Sequence, residues 1–244
     1  RQTRYRRKFG YAQAMIWAII PAAGRGSRSG SDIPKQYQSL LGRPMIHYAL
    51  DVLSAHPDID GIILALAADD ARWLAVDSWR GKPLRTCIGG AERSDSVLAA
   101  ITALDDVLGR DDHVLVHDAA RPCLRPADLH DLLEQAGAHP VGALLAGKMR
   151  DTVKRSDDAG LVAGTLERGL LWRAFTPQMF PARSLQRALE HARQEHAIIT
   201  DETSGIERLG LSPLLIEGQD DNIKVTVAGD FALAEAILKA RNPD

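Results

Sequence analysis

Apolar residues in this chain come in short unbroken runs, and the runs alternate with stretches of helical spacing. Ile16–Ile20 is a β-rich run that stops at Pro21 and a glycine-rich stretch. Gly61–Ala67 (GIILALA) and His113–His117 (HVLVH) are continuous runs of the kind buried on both faces of a parallel sheet. Leu84–Ile88 is a weaker strand, and Val141–Ala146 a further one. Between them the spacing predicts helices over Met45–Ala55, Asp69–Trp79, Glu92–Leu108 and Pro126–Ala136. Pro44 stands where a first helical turn tolerates proline. This βα alternation predicts an α/β fold, a mostly parallel twisted sheet flanked by helices on both faces.

The rhythm breaks after Ala146. The stretch Gly147 to Leu166 is polar and glycine-containing, with β-like pieces at Thr152–Lys154 and Leu161–Leu166. It is too long for a plain loop in a compact domain, so a protruding two-stranded arm over about 147–170 is expected. A lone hairpin is marginal in water, which makes a second subunit its expected support. Helical patterns return at Ala182–Glu195, Glu202–Leu209 and Asp230–Lys239, with short strands expected at Leu214–Glu217 and Asn222–Val225. One domain over residues 15–244 with a single excursion accounts for the pattern.

The 244 residues carry 30 basic and 32 acidic side chains, and the longest apolar run is far too short to span a bilayer. Five cations, Arg1, Arg4, Arg6, Arg7 and Lys8, crowd the first nine residues, so the remainder is acidic. Residues 1–14 are expected to be a disordered basic extension. The acidic body argues against extended nucleic-acid binding. Cys87 and Cys123 form neither a zinc motif nor a disulfide scaffold, and a cytoplasmic location is the expectation.

Three stretches carry candidate chemistry. Ala22-Ala23-Gly24-Arg25-Gly26-Ser27-Arg28-Ser29-Gly30 follows the first strand, at the edge where open α/β sheets bind ligands. It lacks the Gly-Lys-Ser/Thr ending of a Walker loop, and Ser29 stands where a dinucleotide fingerprint requires glycine. Arg25, Arg28 and Lys35 nevertheless suit it to a polyphosphate. His117-Asp118-Ala119-Ala120-Arg121-Pro122 puts a carboxylate at a strand's carboxyl end, for a hydroxyl or a Mg2+ held directly or through water; a turn cap is the plainer alternative. Gly89-Gly90-Ala91-Glu92-Arg93-Ser94-Asp95-Ser96 suits backbone recognition of a base or anion, with plain helix capping by Ser94 or Asp95 as the alternative. Thr152, Arg168, Thr176, Thr200, Asp201, Glu202, Asn222 and Lys224 form a dispersed set that pattern alone would not single out. There is no G-x-S-x-G elbow and no cysteine beside a histidine. Glycine loops and cations on an α/β sheet fit phosphoryl or nucleotidyl transfer, where positioning and charge neutralisation dominate.

Eight motifs in order give the chain a resemblance to a known family. They are PAAGRGSR (Pro21–Arg28), PKQY (Pro34–Tyr37), GGAERSDSV (Gly89–Val97), VHDAARP (Val116–Pro122), RDTVK (Arg150–Lys154), TPQMF (Thr176–Phe180), TDETS (Thr200–Ser204) and DNIKVT (Asp221–Thr226). Together they resemble the 2-C-methyl-D-erythritol 4-phosphate cytidylyltransferases of non-mevalonate isoprenoid biosynthesis, from about Ile16 to Leu238. The resemblance implies a nucleotidyltransferase-type, Rossmann-like sheet with a β-arm that locks a homodimer. It implies transfer of CMP from CTP to the 4-phosphate of methylerythritol, with Mg2+ or another divalent cation. A cytidylyltransferase for another polyol phosphate, such as ribitol 5-phosphate, is the alternative.

By this resemblance Arg28 and Lys35 match the transition-state cations. Pro21, Ala22, Ala23, Gly24, Gly26, Gly90 and Ser96 match the CTP side. Asp118, Arg121, Thr152, Arg168, Thr200 and Lys224 match the ribose, metal or methylerythritol-phosphate side, Thr152 and Arg168 reaching in from the partner's arm. Ser29, Lys148-Met149 and Thr203 depart from the family's usual residues and touch none of the matched cations.

Overall fold

The computed structural model describes residues 14–24 and 33–241. The strands are β1 (Ile16–Ala22), β2 (Ser39–Leu40), β3 (Arg43–Pro44), β4 (Gly61–Leu66), β5 (Ser78–Trp79), β6 (Lys82–Ile88), β7 (His113–Val116), β8 (Ala143–Lys148), β9 (Lys154–Ser156), β10 (Val162–Thr165), β11 (Trp172–Pro181) and β12 (Leu214–Glu217). The helices are α1 (Ile46–Ala55), α2 (Arg93–Thr102), α3 (Pro126–Ala138), α4 (Ala182–Gln194), α5 (Glu202–Glu207) and α6 (Ala228–Arg241). Eight strands form one sheet in the order β12-β8-β11-β7-β1-β4-β6-β5.

The apolar runs became the centre of that sheet, buried on both faces. Along β1, Ile16, Ala18, Ile20 and Ala22 face α1 and α3, while Trp17 and Ile19 face α2 and α4. Along β4, Ile62 and Leu64 take the first side and Ile63 and Ala65 the second. The period of two in side-chain direction thus feeds two cores from one run of sequence. A third, smaller core joins Leu40 and Met45 to Ala234 and Leu238 of α6.

β1 pairs in parallel with β4 and β7, and β4 with β6. The sheet as a whole is mixed, because β11 runs antiparallel between β7 and β8. The sequence pattern predicts no strand there. Pro177 has no N–H to give a ladder, which argues against an internal strand. The pairing of β11 with β8 is interrupted between Ala174 and Gln178, and the proline sits inside that irregularity.

Three other expectations are corrected. Residues 69–79 are not a helix but turns ending in β5. Asp70 Oδ1 accepts from the backbone N–H groups of Arg72 and Trp73, and the Tyr37 hydroxyl donates to Asp70 Oδ2. Such local side-chain bonds offer the backbone an alternative to helix. Residues 222–225 are not a strand but a crossing segment, in which Val225 N donates to Ala120 O. The helix expected to reach Leu108 ends at Thr102, and it is capped by Glu92 and Asp95 in a reciprocal capping box rather than by Ser94. Within the stretch expected to form the arm, β9 and β10 pair antiparallel as a two-stranded sheet separate from the main one.

Candidate functional site

Because β1, β4, β6 and β7 are parallel, their carboxyl ends share one edge. Ala23-Gly24, Gly89-Gly90 and His117-Asp118 all lie there. Gln36, buried in the short helical turn after Pro34, donates from Nε2 to Ala22 O at 2.7 Å and holds the end of β1. Gly89 N donates to Leu66 O at 2.8 Å. A Cβ at Gly89 would lie 2.6 Å from Ala23 Cβ and 2.8 Å from Ser96 Oγ, and one at Gly90 2.2 Å from Asp95 Cβ. The loop after β6 therefore reaches the loop after β1 only because Gly89 lacks a side chain, while Gly90 leaves room for Asp95 at the start of α2. Ser96, buried, accepts from Gly90 N at 3.1 Å.

An open cleft of about 200 Å3 adjoins this edge. It is lined by Arg93, Asp118, Arg121, Thr176, Gln178, Thr200, Asp201 and Lys224, with Ala174 and Phe175. Asp118 is buried at its centre. Its Oδ1 takes Arg93 Nε at 2.8 Å, its Oδ2 takes Lys224 Nζ at 2.8 Å, and Arg121 Nε stands 3.9 Å away. Burial works against the Asp118 carboxylate, yet Arg93 and Lys224 overcome it and hold the group well below the usual carboxylate range. Behind Arg93, the wholly buried Glu202 accepts from Arg93 Nη1 at 2.5 Å. Burial pushes the Glu202 pKa up, against the pull of Arg93.

Backbone bonds fix the frame. Arg121 Nη1 donates to Asn222 O at 2.6 Å, and its guanidinium stacks on Phe175 at 5.2 Å. Asn222 Nδ2 donates to Thr176 O at 2.9 Å. Thr176 Oγ1 accepts from Asp118 N at 3.0 Å. Gln178 joins β11 to α5, donating to Asp201 and accepting from the Thr203 N–H and hydroxyl. Phe175, Thr176 and Gln178 enter the lining from β11 where its ladder is broken, and a bulge re-aims side chains in this way.

Of the sequence candidates, Asp118, Arg121, Thr200 and Lys224 line the cleft, and Pro21, Ala22, Ala23, Gly24, Gly90 and Ser96 lie on the strand edge beside it. Lys35 donates from Nζ to Thr226 O at 3.0 Å, two residues beyond Lys224. Thr152 and Arg168 are exposed on the arm and do not line the cleft of their own chain; Arg168 donates to Arg150 O. Arg28, Gly26 and the basic extension lie outside the described residues. Sequence reasoning gave Arg93 no part in ligand chemistry and did not separate Glu202, Thr176 and Gln178 from the surface, although all four fall inside the quoted motifs. Among the described residues no group of three or more His, Cys, Asp or Glu stands ready to hold a metal ion.

The 2-C-methyl-D-erythritol 4-phosphate cytidylyltransferase family matches residues 16–240. The chain belongs to this family. It is a CTP-dependent nucleotidyltransferase that transfers CMP from CTP to 2-C-methyl-D-erythritol 4-phosphate in isoprenoid biosynthesis. A cytidylyltransferase of that name from Xanthomonas campestris pv. campestris (strain B100) is 52% identical over 227 residues, covering 93% of this chain and 86% of the relative. One from Stenotrophomonas maltophilia (strain R551-3) is 49% identical over 228 residues, covering 93% and 98%. The crystal structure of the Francisella tularensis cytidylyltransferase superposes with a TM-score of 0.78 at 33% identity, over 92% of this chain and all of that one.

Proposed function

We propose that the cleft around Asp118 receives the phosphate of methylerythritol phosphate, and that CTP lies beside it over Ala22–Gly24, Gly90 and Ser96. The observation that carries this reading is the shared edge: glycine-rich loops, with Gly24 facing open space, adjoin a cleft whose lining carries three cations against two carboxylates. The first suits a base and its phosphates approaching the backbone, the second an anionic acceptor. The nucleophile is a phosphate oxygen, already anionic near neutral pH, so the reaction needs no general base. Lys224 and Arg121 hold that phosphate in line with the α-phosphorus of CTP. Lys35, together with Arg28, offsets charge on the α-phosphate and the departing pyrophosphate.

A divalent cation belongs to this reading as a counter-ion carried by the triphosphate. Among the described residues there is no protein cage for it. Both oxygens of Asp118 are already taken by Arg93 and Lys224, and a directly bound ion would have to displace one of them.

The arm belongs to the reading as a dimer element that carries Thr152 and Arg168 to the partner's cleft. A cytoplasmic location fits two cysteines without a disulfide, Cys123 being buried.

The test is a pyrophosphate-release assay with CTP and methylerythritol phosphate. Lys35→Ala is expected to lower turnover by about 10²–10³-fold in a folded protein, the usual loss for one such electrostatic donor. Lys224→Ala is expected to raise KM for the acceptor while leaving KM for CTP nearly unchanged. Normal turnover in the first variant, or an unaltered kcat/KM in the second, overturns the assigned roles.

A further inference from the structure

Four charges of alternating sign run inward from the cleft: Lys224, Asp118, Arg93 and Glu202. They come from four separate places, the segment after β12, the end of β7, the first residue of α2 and the first residue of α5. Each link is short, at 2.8, 2.8 and 2.5 Å. Glu202, at the inner end, is wholly buried, and its Oε2 has no hydrogen-bond partner among the described residues. Stability is a poor reason to keep such a group. The desolvation of a buried ion pair commonly cancels its attraction, and apolar replacements are often neutral.

Geometry gives a better reason. A guanidinium facing a carboxylate prefers the two-pronged grip, taking both oxygens. Arg93 does not take both oxygens of Asp118. Nε reaches Asp118 Oδ1, but Nη2, which lies beside Nε and would complete the grip, has no hydrogen-bond partner among the described residues; Glu202 holds Nη1 on the other side of the guanidinium, and Oδ2 is left to Lys224.

We infer that Glu202 is a positioning residue for the acceptor phosphate: by holding Nη1 of Arg93 it fixes the guanidinium so that Nη2 does not close on Asp118 Oδ2, reserves that oxygen for Lys224 and so sets where that ammonium stands. This rests on Lys224 being the phosphate clamp proposed above. Without the Glu202 charge, Arg93 turns to grip both oxygens of Asp118 and Lys224 loses its anchor.

Glu202→Gln keeps the shape and removes the charge. Its KM for methylerythritol phosphate is expected to rise about tenfold, since small misplacements near the reacting groups carry losses of that size or more. Its KM for CTP and its thermal midpoint should change little. In a Lys224→Ala background the same substitution should add no further loss, because residues acting through one another are not additive. Unchanged acceptor kinetics in Glu202→Gln, or losses that multiply in the double variant, overturn the inference. If Glu202→Gln does not fold, Glu202→Asp keeps the charge and withdraws it by one methylene. It should show a smaller rise in acceptor KM, again absent in the Lys224→Ala background, and the same two contrary results overturn the inference. A Lys224→Ala enzyme with unaltered kinetics would remove the clamp reading itself. An impaired Lys224→Ala enzyme beside an unimpaired Glu202 variant removes only the positioning role.

Discussion

His117 is wholly buried beneath the cleft, and both of its ring nitrogens have partners. Nε2 faces the Arg121 carbonyl, which can only accept, so Nδ1 of the neutral ring is the acceptor and the Thr176 hydroxyl donates to it at 3.0 Å while accepting from Asp118 N. Nε2 then carries the ring proton and donates to Arg121 O at 3.2 Å. The imidazole is a neutral spacer that sets Thr176 and the Arg121 backbone. Burial lowers its pKa to about 4, with Asp118 opposing and Arg121 adding to the shift. The unfolded chain takes up this proton near pH 6.5. Between that pH and about 4 the unfolded state binds a proton that the folded state does not. Stability from His117 is therefore complete above pH 6.5 and lost as the pH falls toward 4, by about 3 kcal/mol in all. Glu202, with its raised pKa, pulls in the opposite sense on acidification, so the comparison with a His117→Gln variant isolates the histidine. Urea unfolding at pH 7 and pH 4.5 should show wild type losing more stability than the variant. Equal losses would rule out the buried neutral imidazole as the cause.

At the scale of elements, the site depends on how closely the loop after β6 approaches the loop after β1. Gly89→Ala puts a methyl group 2.6 Å from Ala23 Cβ, and neither backbone gives way without moving the other. KM for CTP is expected to rise about tenfold or more, with acceptor KM little affected, because overpacking of a tight contact shifts backbone. A Gly89→Ala enzyme with ordinary CTP kinetics would show that this contact does not shape the nucleotide side. The pair Gly89-Gly90 was legible in the sequence, as were β1, β4 and β7, because burial on both faces demands unbroken apolar runs. Asp118 was legible because it follows such a run. β11 was not: Thr176, Pro177 and Gln178 make it too polar to read as an internal strand, and the cleft is what uses that polarity. The helix expected over 69–79 failed for a local reason, the Asp70 side chain capturing backbone donors. The Arg93–Glu202 pair joins residues 109 positions apart, and no spacing rule spans that separation; only the fold brings them together.

For the whole molecule, the arm is the part that the single chain leaves unexplained. Among the described residues β9 and β10 pair with each other and with no other strand. Leu161, Val162 and Leu170 are exposed on it, at 67%, 69% and 83%. A two-stranded hairpin is marginally stable alone, and a two-fold dimer would cover that apolar surface twice over. Arg168 and Thr152 ride on the same arm, away from their own cleft. If they complete the partner's site, each site draws on two chains, and damage to each can be placed on a different one. Arg168→Ala and Lys35→Ala homodimers should both be nearly inactive. A mixed dimer of the two then holds one site with both residues intact, the body from the Arg168→Ala chain and the arm from the Lys35→Ala chain. Random mixing of equal amounts makes about half the dimers mixed, with one good site in each, so activity should recover to about a quarter of wild type. An arm serving its own chain predicts no recovery, because every site in every dimer would then lack one of the two residues. Co-refolding the two variants and measuring pyrophosphate release separates these outcomes. Size-exclusion chromatography of the same mixture shows whether dimers were there to be scored.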